Sequence, residues 1–515
     1  MDTKALRQKI LDLAIRGKLV PQDPNDEPAE VLLERIREQK QQMLKEGKLK
    51  KKDIKNDTII FKGEDNLHYE KFQNGTVKCI EDEIPFEVPE GWAWARLQYI
   101  ISLSSGKTIK VRQLTDEGDF PVYGGNGING MYSYYNVEPK TIVIGRVGYY
   151  CGSVYKTISK AWVTDNALIA TIKEPNIFDI DFLVSTLTYL NLGTTSVSTA
   201  QPVVSGKGIL PLIVPIPPKK EQNRILRQIK KIAPLLDAIE NSQKETLSLI
   251  ANTKSKILDL AIRGKLVPQD PNDEPASVLL ERMRAEKEEL IKQGKIKRDK
   301  KESVIFKGDD NSYYEKFDGE VSCIDEEIPY NIPDTWTWMR LENCCVKEIR
   351  RGKSPKYAEI SNVIVFAQKC NTKYNGIDIS LAQYLDETTI KRYPTDEHMQ
   401  DGDIVINSTG TGTLGRVGIY RNTDNTTGLL IVPDSHVTVI RSFSCISSHY
   451  LYAFMKAHQT ELEKKGEGST NQKELKPLTL KEMLIAVPPL SEQKRIDKSI
   501  NVAFSHLAII EKCLN

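Results

Sequence analysis

At 515 residues, with 39% of them hydrophobic and a mean hydropathy of −0.40, the chain is too long for one core and reads as about three or four soluble units. No run approaches the roughly 18 apolar residues of a bilayer span, and the polar helical pattern at Met1 holds no apolar signal core, so a cytoplasmic protein without a membrane partner is expected. The net charge of +2 says little as a total, and the eight scattered cysteines lack CxxC pairs, which fits a reducing compartment.

Residues 1–16 are predicted helical, with Thr3, Leu6, Ile10 and Leu13 along one face, and Gly17 ends the helix. The loop PQDPNDEP follows, stiffened by three prolines; Asp26 and Pro28 supply a cap and a first-turn residue for a second helix. Lys45, Lys48, Lys50, Lys51, Lys52 and Lys55 cluster behind it, a run that serves a solvated helix end or a polyanion. From Thr58 the pattern turns to strands: IIFKG, HYEKF and TVKCI, punctuated by Gly63 and Asn74-Gly75, predict a small meander. Trp92 and Trp94 then alternate on one strand face and are assigned to core packing at a domain entrance. Residues 98–213 mix apolar strands such as TIVIG with the helix-like FLVSTLTYL. Past VPIPPKKEQNRI comes a long helix, residues 221–262, of about 60 Å. Its seam runs through Ile225, Ile229, Ile232, Leu236 and Ile239, is interrupted by Gln243 and Thr246, and resumes at Ile250, Ile257 and Leu260. Pro234 is expected to kink it or to start a second helical segment.

The chain then repeats itself. Residues 256–276 are identical to residues 9–29, at a register of +247. A second basic cluster (Lys292, Lys295, Lys297, Arg298, Lys300, Lys301) and a second meander (VIFKG, YYEKF, VSCI) follow, then a second tryptophan strand with Trp336 and Trp338. Residues 342–484 match residues 98–213 only in islands: GKT and GKS at residues 106–108 and 352–354, GRVG at 145–148 and 415–418, and ST-x-Q at 198–201 and 469–472. The adjacent Cys344 and Cys345 read as packing residues. The closing helix matches the central one up to residue 244 and the opening helix matches it from residue 248, so the chain is a two-fold repeat written circularly and cut inside one helix. The predicted fold class is α+β: two mixed α/β domains of variable content separated by long antiparallel coiled-coil helices, pseudo-two-fold and circularly organised, with adjacent termini. The expected segments are a helical region at 1–56, a first variable domain at 57–218, a central helical region at 219–302, a second variable domain at 303–489 and a closing helix at 490–515.

Two dissimilar domains, repeated helical spacers and the PP-x-x-EQ-x-x-I exit (residues 217–225 and 488–496) resemble the specificity subunit of type I restriction–modification systems. VYGGNGING at 122–130 and PDSHVTVI at 433–440 also look like segments of that family. The resemblance covers nearly the whole chain apart from the meanders. It implies that the two variable domains are target-recognition domains reading a bipartite, asymmetric target on double-stranded DNA. It also implies spacers that dock modification subunits, two of them, and through these the restriction subunits. S-adenosylmethionine, ATP and magnesium would then reside on the partners, and the chain itself would hold no cofactor.

The residues offer no catalyst to set against this. Gly106-Lys107-Thr108 and Gly352-Lys353-Ser354 lack the upstream glycine of a phosphate loop, where Ile101 and Lys347 stand. Pro217-Pro218 and Pro488-Pro489 lack the flanking residues of an NPPY-like methyltransferase motif, and the six histidines show no metal spacing. The expectation is a chain that is not an enzyme by itself. A helical protein-binding scaffold without DNA specificity is the alternative. For DNA contact, Arg and Lys suit guanine and phosphate, and Asn and Gln suit adenine. The candidates in the first domain are Lys107, Lys110, Arg112, Asn126, Asn129, Tyr132, Tyr134, Arg146, Tyr149 and Gln201. Those in the second are Arg350, Arg351, Lys353, Lys356, Lys369, Asn371, Lys373, Tyr374, Thr411, Arg416, Gln472 and Lys473. Arg146 and Arg416, in matched islands, are expected to hold a shared fold or a phosphate rather than to read bases.

Overall fold

The computed structural model describes residues 2–115, 117–173, 177–196, 202–298, 303–373, 376–410, 412–467 and 473–514. Two units emerge, Met1–Gln243 and Lys244–Asn515, divided inside the central helix Lys219–Ile262 beside the point that the repeat registers give. Met1 and Asn515 lie outside the described residues, and with them the expected adjacency of the termini.

In the first unit, the helix Thr3–Ile15 starts on Asp2, whose carboxylate accepts from the Ala5 amide at 2.9 Å, and Gly17 follows it with φ +68°. This helix runs antiparallel to the first part of the central helix. Arg7 pairs with Asp237 and Glu240, whereas Asp26, further along the chain, pairs with Arg224 at 2.7 Å. Asp26 is therefore not a helix cap. The second helix, Ala29–Lys45, begins after Pro28, and the Ala29 amide donates to the Gly91 carbonyl at 2.8 Å. A fixed proline φ and a carbonyl from another loop do what a capping side chain would have done.

The meander forms as expected from Ile59–Lys62, His68–Lys71 and Val77–Cys79, antiparallel in that order. Arg96, on the strand Ala93–Arg96, fastens it through ion pairs of 2.7 Å to Glu70 and to Glu83. Trp92 and Trp94 are 5% and 3% exposed, core residues as their alternation implied. Beyond them lies a four-stranded antiparallel sheet in the order Ile101–Ser105, Ala167–Ile172, Ile142–Gly145, Val154–Lys156. A three-stranded sheet, Trp162–Val163, Phe120–Gly124, Gly127–Tyr132, stands with it. The helix Ile180–Tyr189 buries Phe182, Leu183 and Leu187 in the core that Ile142 and Ile144 also line.

The second unit repeats this frame. Its closing helix Leu490–Leu514 is antiparallel to the latter part of the central helix, with Lys254 pairing Glu511 at 2.7 Å and Asp273 pairing Arg495 at 2.6 Å. Its main sheet runs Arg350–Arg351, Val437–Ile440, Ile404–Asn407, Val417–Ile419, and its second sheet runs Tyr357–Ala358, Gln383–Leu385, Val363–Phe366, Leu430–Pro433. In both units the second sheet contains one parallel pair. The seam of the central helix is as read: Ile225, Leu236 and Ile250 are buried, while the off-seam Leu235 and Leu249 are 61% and 65% exposed. Pro234 lies inside the helix without starting a new segment; its cost, about 3 kcal/mol, is offset by the apolar seam on either side. Cys344 is fully buried and the Cys345 thiol donates to the Leu341 carbonyl at 3.1 Å. Burial pushes both thiols well above their ordinary range, so they pack rather than react. No described helix is long and apolar enough to cross a membrane.

One hydrogen-bonded clamp explains why the identical loop, the tryptophan and the EQ dipeptide recur together. Glu221, 1% exposed, accepts from Gln22 at 3.0 Å and from the Trp92 indole at 3.1 Å. Gln222 accepts from the Asp179 amide and donates to the Ile177 carbonyl, both at 2.7 Å. In the second unit Glu492 accepts from Gln269 and from Trp336 at 2.9 Å, and Gln493 accepts from the Ser447 amide at 2.8 Å. The repeated loop thus braces its own domain against a helix start. Burial pushes the Glu221 and Glu492 carboxyls above their ordinary range despite the donors. Trp336→Phe leaves buried Glu492 one donor short and is expected to cost about 1–3 kcal/mol, measured as a fall in the melting temperature of the chain.

Candidate nucleic-acid interface

Five loops of the first unit meet at one end of its sheets, and backbone approaches backbone there. A Cβ on Gly106 would lie 2.2 Å from the Thr164 carbonyl oxygen, and one on Gly145 would lie 2.4 Å from that of Gly125. The Arg146 amide donates to the Asn166 carbonyl and the Val204 amide to that of Arg146, each at 2.9 Å. So GKT, GGNG, GRVG and residues 164–166 and 202–204, far apart in sequence, form one surface. The second unit assembles the same place: a Cβ on Gly352 would lie 2.3 Å from the Asp434 carbonyl oxygen, and the Ser408 amide donates to His436 at 2.8 Å. The Leu475 amide closes that set on the Ser408 carbonyl at 2.8 Å. The glycines of GKT and GKS are there because two strands cross without room for a side chain. No α-helix begins at the lysine, as a phosphate loop would need.

The matched bonds also correct a register. Gly152 donates to the Gly145 carbonyl at 2.7 Å, and Gly415 donates to that of Asn407 at 2.8 Å. Gly145 donates to Ser153 at 2.8 Å, and Asn407 to Arg416 at 3.0 Å. Gly145 therefore corresponds to Asn407, Arg146 to Ser408 and Gly152 to Gly415. The two GRVG islands are not equivalent: the first leaves a strand and the second enters one. Their likeness arises because each supplies a glycine at a tight crossing, and Gly152 and Gly415 share positive φ, +85° and +74°. The expectation that Arg146 and Arg416 do the same work falls with this register.

Among the first-unit candidates, Lys107, Lys110, Arg112, Asn126 and Asn129 are exposed, with Asn126 at the hairpin tip between Phe120–Gly124 and Gly127–Tyr132. Tyr132 is half-buried, its ring centroid 5.4 Å from Tyr134 and 5.2 Å from Trp162, while Tyr134 itself is 65% exposed. Arg146 is half-buried, with Nη1 3.3 Å from the Ser105 hydroxyl. Tyr149 is 89% exposed, and Tyr150, which the sequence reading passed over, is 50% exposed beside it.

In the second unit Lys369, Lys373 and Lys473 are exposed. Several others have partners within the unit. Arg350 pairs with Glu397, a carboxyl that burial would raise but that Lys347 at 2.8 Å, with Arg350, holds below its ordinary range. Arg351 pairs with Glu474 at 2.9 Å and Lys356 with Asp386 at 2.8 Å. Lys353 donates to the Arg392 carbonyl beside the Tyr393 ring. Asn371 is 1% exposed and its amide donates to Asn407 at 3.2 Å and to the Arg416 carbonyl at 3.0 Å, so it is a strut and not a base reader. Arg416 returns a bond to the Asn371 carbonyl at 2.8 Å and is likewise a strut. Gln201, Tyr374, Thr411 and Gln472 lie outside the described residues, as do both ST-x-Q islands. Sequence reasoning missed His436, whose ring is 2.7 Å from the Thr409 hydroxyl at the loop cluster; its segment, PDSHVTVI, carried the signal.

Comparison with known proteins bears on this arrangement. The family model for the type I restriction modification DNA specificity domain matches residues 89–249 and 333–515, most of both units. The chain is 26% identical to the type I restriction enzyme EcoEI specificity subunit of Escherichia coli, over 97% of this chain and 89% of that one. It is 27% identical to the EcoAI specificity subunit of Escherichia coli, over 66% and 62%. A solved structure concerned with complex assembly and conformational transition of the type I R-M system matches with a TM-score of 0.51 at 15% identity, over 84% of this chain and 94% of that one, and that likeness speaks for the fold alone. With its duplicated frame and family match, the chain belongs to the specificity subunits of type I restriction–modification systems.

Proposed function

We propose that each unit reads one half of a bipartite, asymmetric DNA target. The helices between them set the spacing and dock two modification subunits, which in turn carry the restriction subunits. S-adenosylmethionine, ATP and magnesium belong to those partners, and this chain directs their methyltransferase and endonuclease activities without catalysing either. The observation that supports the reading best is the contrast within the repeat. The two units share a clamp and the order of a four-stranded main sheet, and Lys107 and Lys353 stay alike at the shared surface, yet the loops after Ile142–Gly145 and Ile404–Asn407 differ: Arg146 stands against Ser408, and Tyr149-Tyr150 against glycines and threonines. Contacts shared by both halves position the protein, and contacts that differ specify. The exposed lysines Lys107, Lys110, Lys369, Lys373 and Lys473, with Arg112, supply phosphate contacts, while Asn126 and Asn129 are placed to meet bases.

Footprinting of the assembled complex tests this. Two protected segments separated by a few unprotected base pairs are expected, with an affinity that falls steeply as salt rises, by about 10³ or more between 50 and 200 mM. Partner binding that ignores salt, with no protected DNA, would instead favour a protein-binding scaffold.

A further inference from the structure

The loop at residues 146–151 joins the strand ends Ile142–Gly145 and Val154–Lys156 and is held from several sides. Gly148 donates to the Pro202 carbonyl at 3.0 Å, Cys151 to that of Gly148 at 2.9 Å and Gly152 to that of Gly145 at 2.7 Å. Gly152, at φ +85°, packs so closely that a Cβ would lie 2.1 Å from the Gly193 nitrogen. From this fixed base two rings project. Tyr149 is 89% exposed and Tyr150 50%, their centroids 5.0 Å apart at 86°. An aromatic ring held out on a braced loop has the backbone share of its ordering cost already met, and it gains free energy when something apolar covers it. The faces of stacked bases are such a cover. Arg146 on the same loop and exposed Lys107 on the adjoining one supply the charge to hold the flanking phosphates. The corresponding loop of the second unit, residues 408–414, reads STGTGTL and contains no ring.

We propose that Tyr149, backed by Tyr150, is a wedge that enters the duplex at one base step of the first unit's half-site and partly unstacks it, while the second unit leaves its half-site stacked. The inference rests on the DNA-recognition reading above. Partial intercalation is least costly at pyrimidine–purine steps, which kink readily. The first half-site therefore contains or abuts a TA, CA or TG step, selected by deformability rather than by hydrogen bonds.

The test uses the assembled complex and duplexes carrying the motif that it methylates, with 2-aminopurine placed at successive positions. Wild type is expected to raise fluorescence at one step of the first half-site and at none in the second. Tyr149→Ala is expected to abolish that rise and to weaken binding about tenfold while both halves stay protected, and Tyr149→Trp is expected to restore both. Replacing the pyrimidine–purine step with a stiff purine–purine step is expected to weaken wild type and leave Tyr149→Ala unaffected. Protection of both halves by wild type without a fluorescence rise, or a rise that survives Tyr149→Ala, would overturn the wedge and leave the recognition reading standing. A complex that protects no specific sequence would remove both. Because Tyr149 is 89% exposed, its replacement does not threaten the fold.

Discussion

Replacing residues 98–213 with the matching segment of a relative of different specificity is expected to change one half of the DNA target and leave the other half and the spacing as they were. The junctions are favourable. The chain enters and leaves this segment at neighbouring points, where the Leu97 amide donates to the Leu212 carbonyl at 2.8 Å and Arg96 pairs with Ile213 across two antiparallel strands. The Glu221, Gln22 and Trp92 bonds of the clamp stay outside the exchanged segment, and its Gln222 bonds reach in only to backbone groups of Ile177 and Asp179, which a replacement segment also supplies. Affinity for the parental site should fall at least about a hundredfold, since each mismatched base pair costs about 1–3 kcal/mol and more than one would change. Binding titrations on the parental and hybrid sites measure this. A hybrid with both halves altered would mean that the two units do not read independently.

Gly352→Val is expected to destabilise the second unit by at least about 3 kcal/mol, because its Cβ would lie 2.3 Å from the Asp434 carbonyl oxygen and 2.5 Å from that of Pro433. Those are backbone atoms of a paired strand and have no rotamer by which to withdraw. The clash would part the Gly352–Lys353 crossing from Asp434 and open the loop cluster. The expected result is a lower first transition in calorimetry and loss of protection over the second half-site, with the first half-site still protected. Gly106→Val, 2.2 Å from the Thr164 oxygen, should produce the mirror image. An unchanged melting profile for both variants would mean that the crossings are looser than described.

The frame of this protein was largely legible in its sequence because it is written twice. Identity at residues 9–29 and 256–276, the seam through Ile225 and Ile250, and the meanders each followed from pattern alone. Two local readings failed where a tertiary partner outbid a local signal: Asp26 has the chemistry of a helix cap, but Arg224 on another helix claims it. The GRVG islands share letters without sharing a place, since short glycine motifs recur wherever strands cross closely. Only the hydrogen bonds of Gly145, Gly152, Asn407 and Gly415 reveal the true register. The candidate surface was half legible. Residue type pointed to Asn371, Arg350 and Arg416 alongside Lys107 and Asn126, but type carries no information on burial or partners: Asn371 is buried, and Arg350 and Arg416 are bonded to groups of their own domain. The pairing of Tyr149 with Tyr150 needed the loop to be seen.

The methylated motif in the genome of a host that carries this chain tests the central claim most directly. Two short, unlike sequences separated by a fixed run of unspecified bases are expected, one half for each unit. A contiguous motif, or a palindrome with two like halves, would contradict the assignment of unlike reading surfaces to the two units.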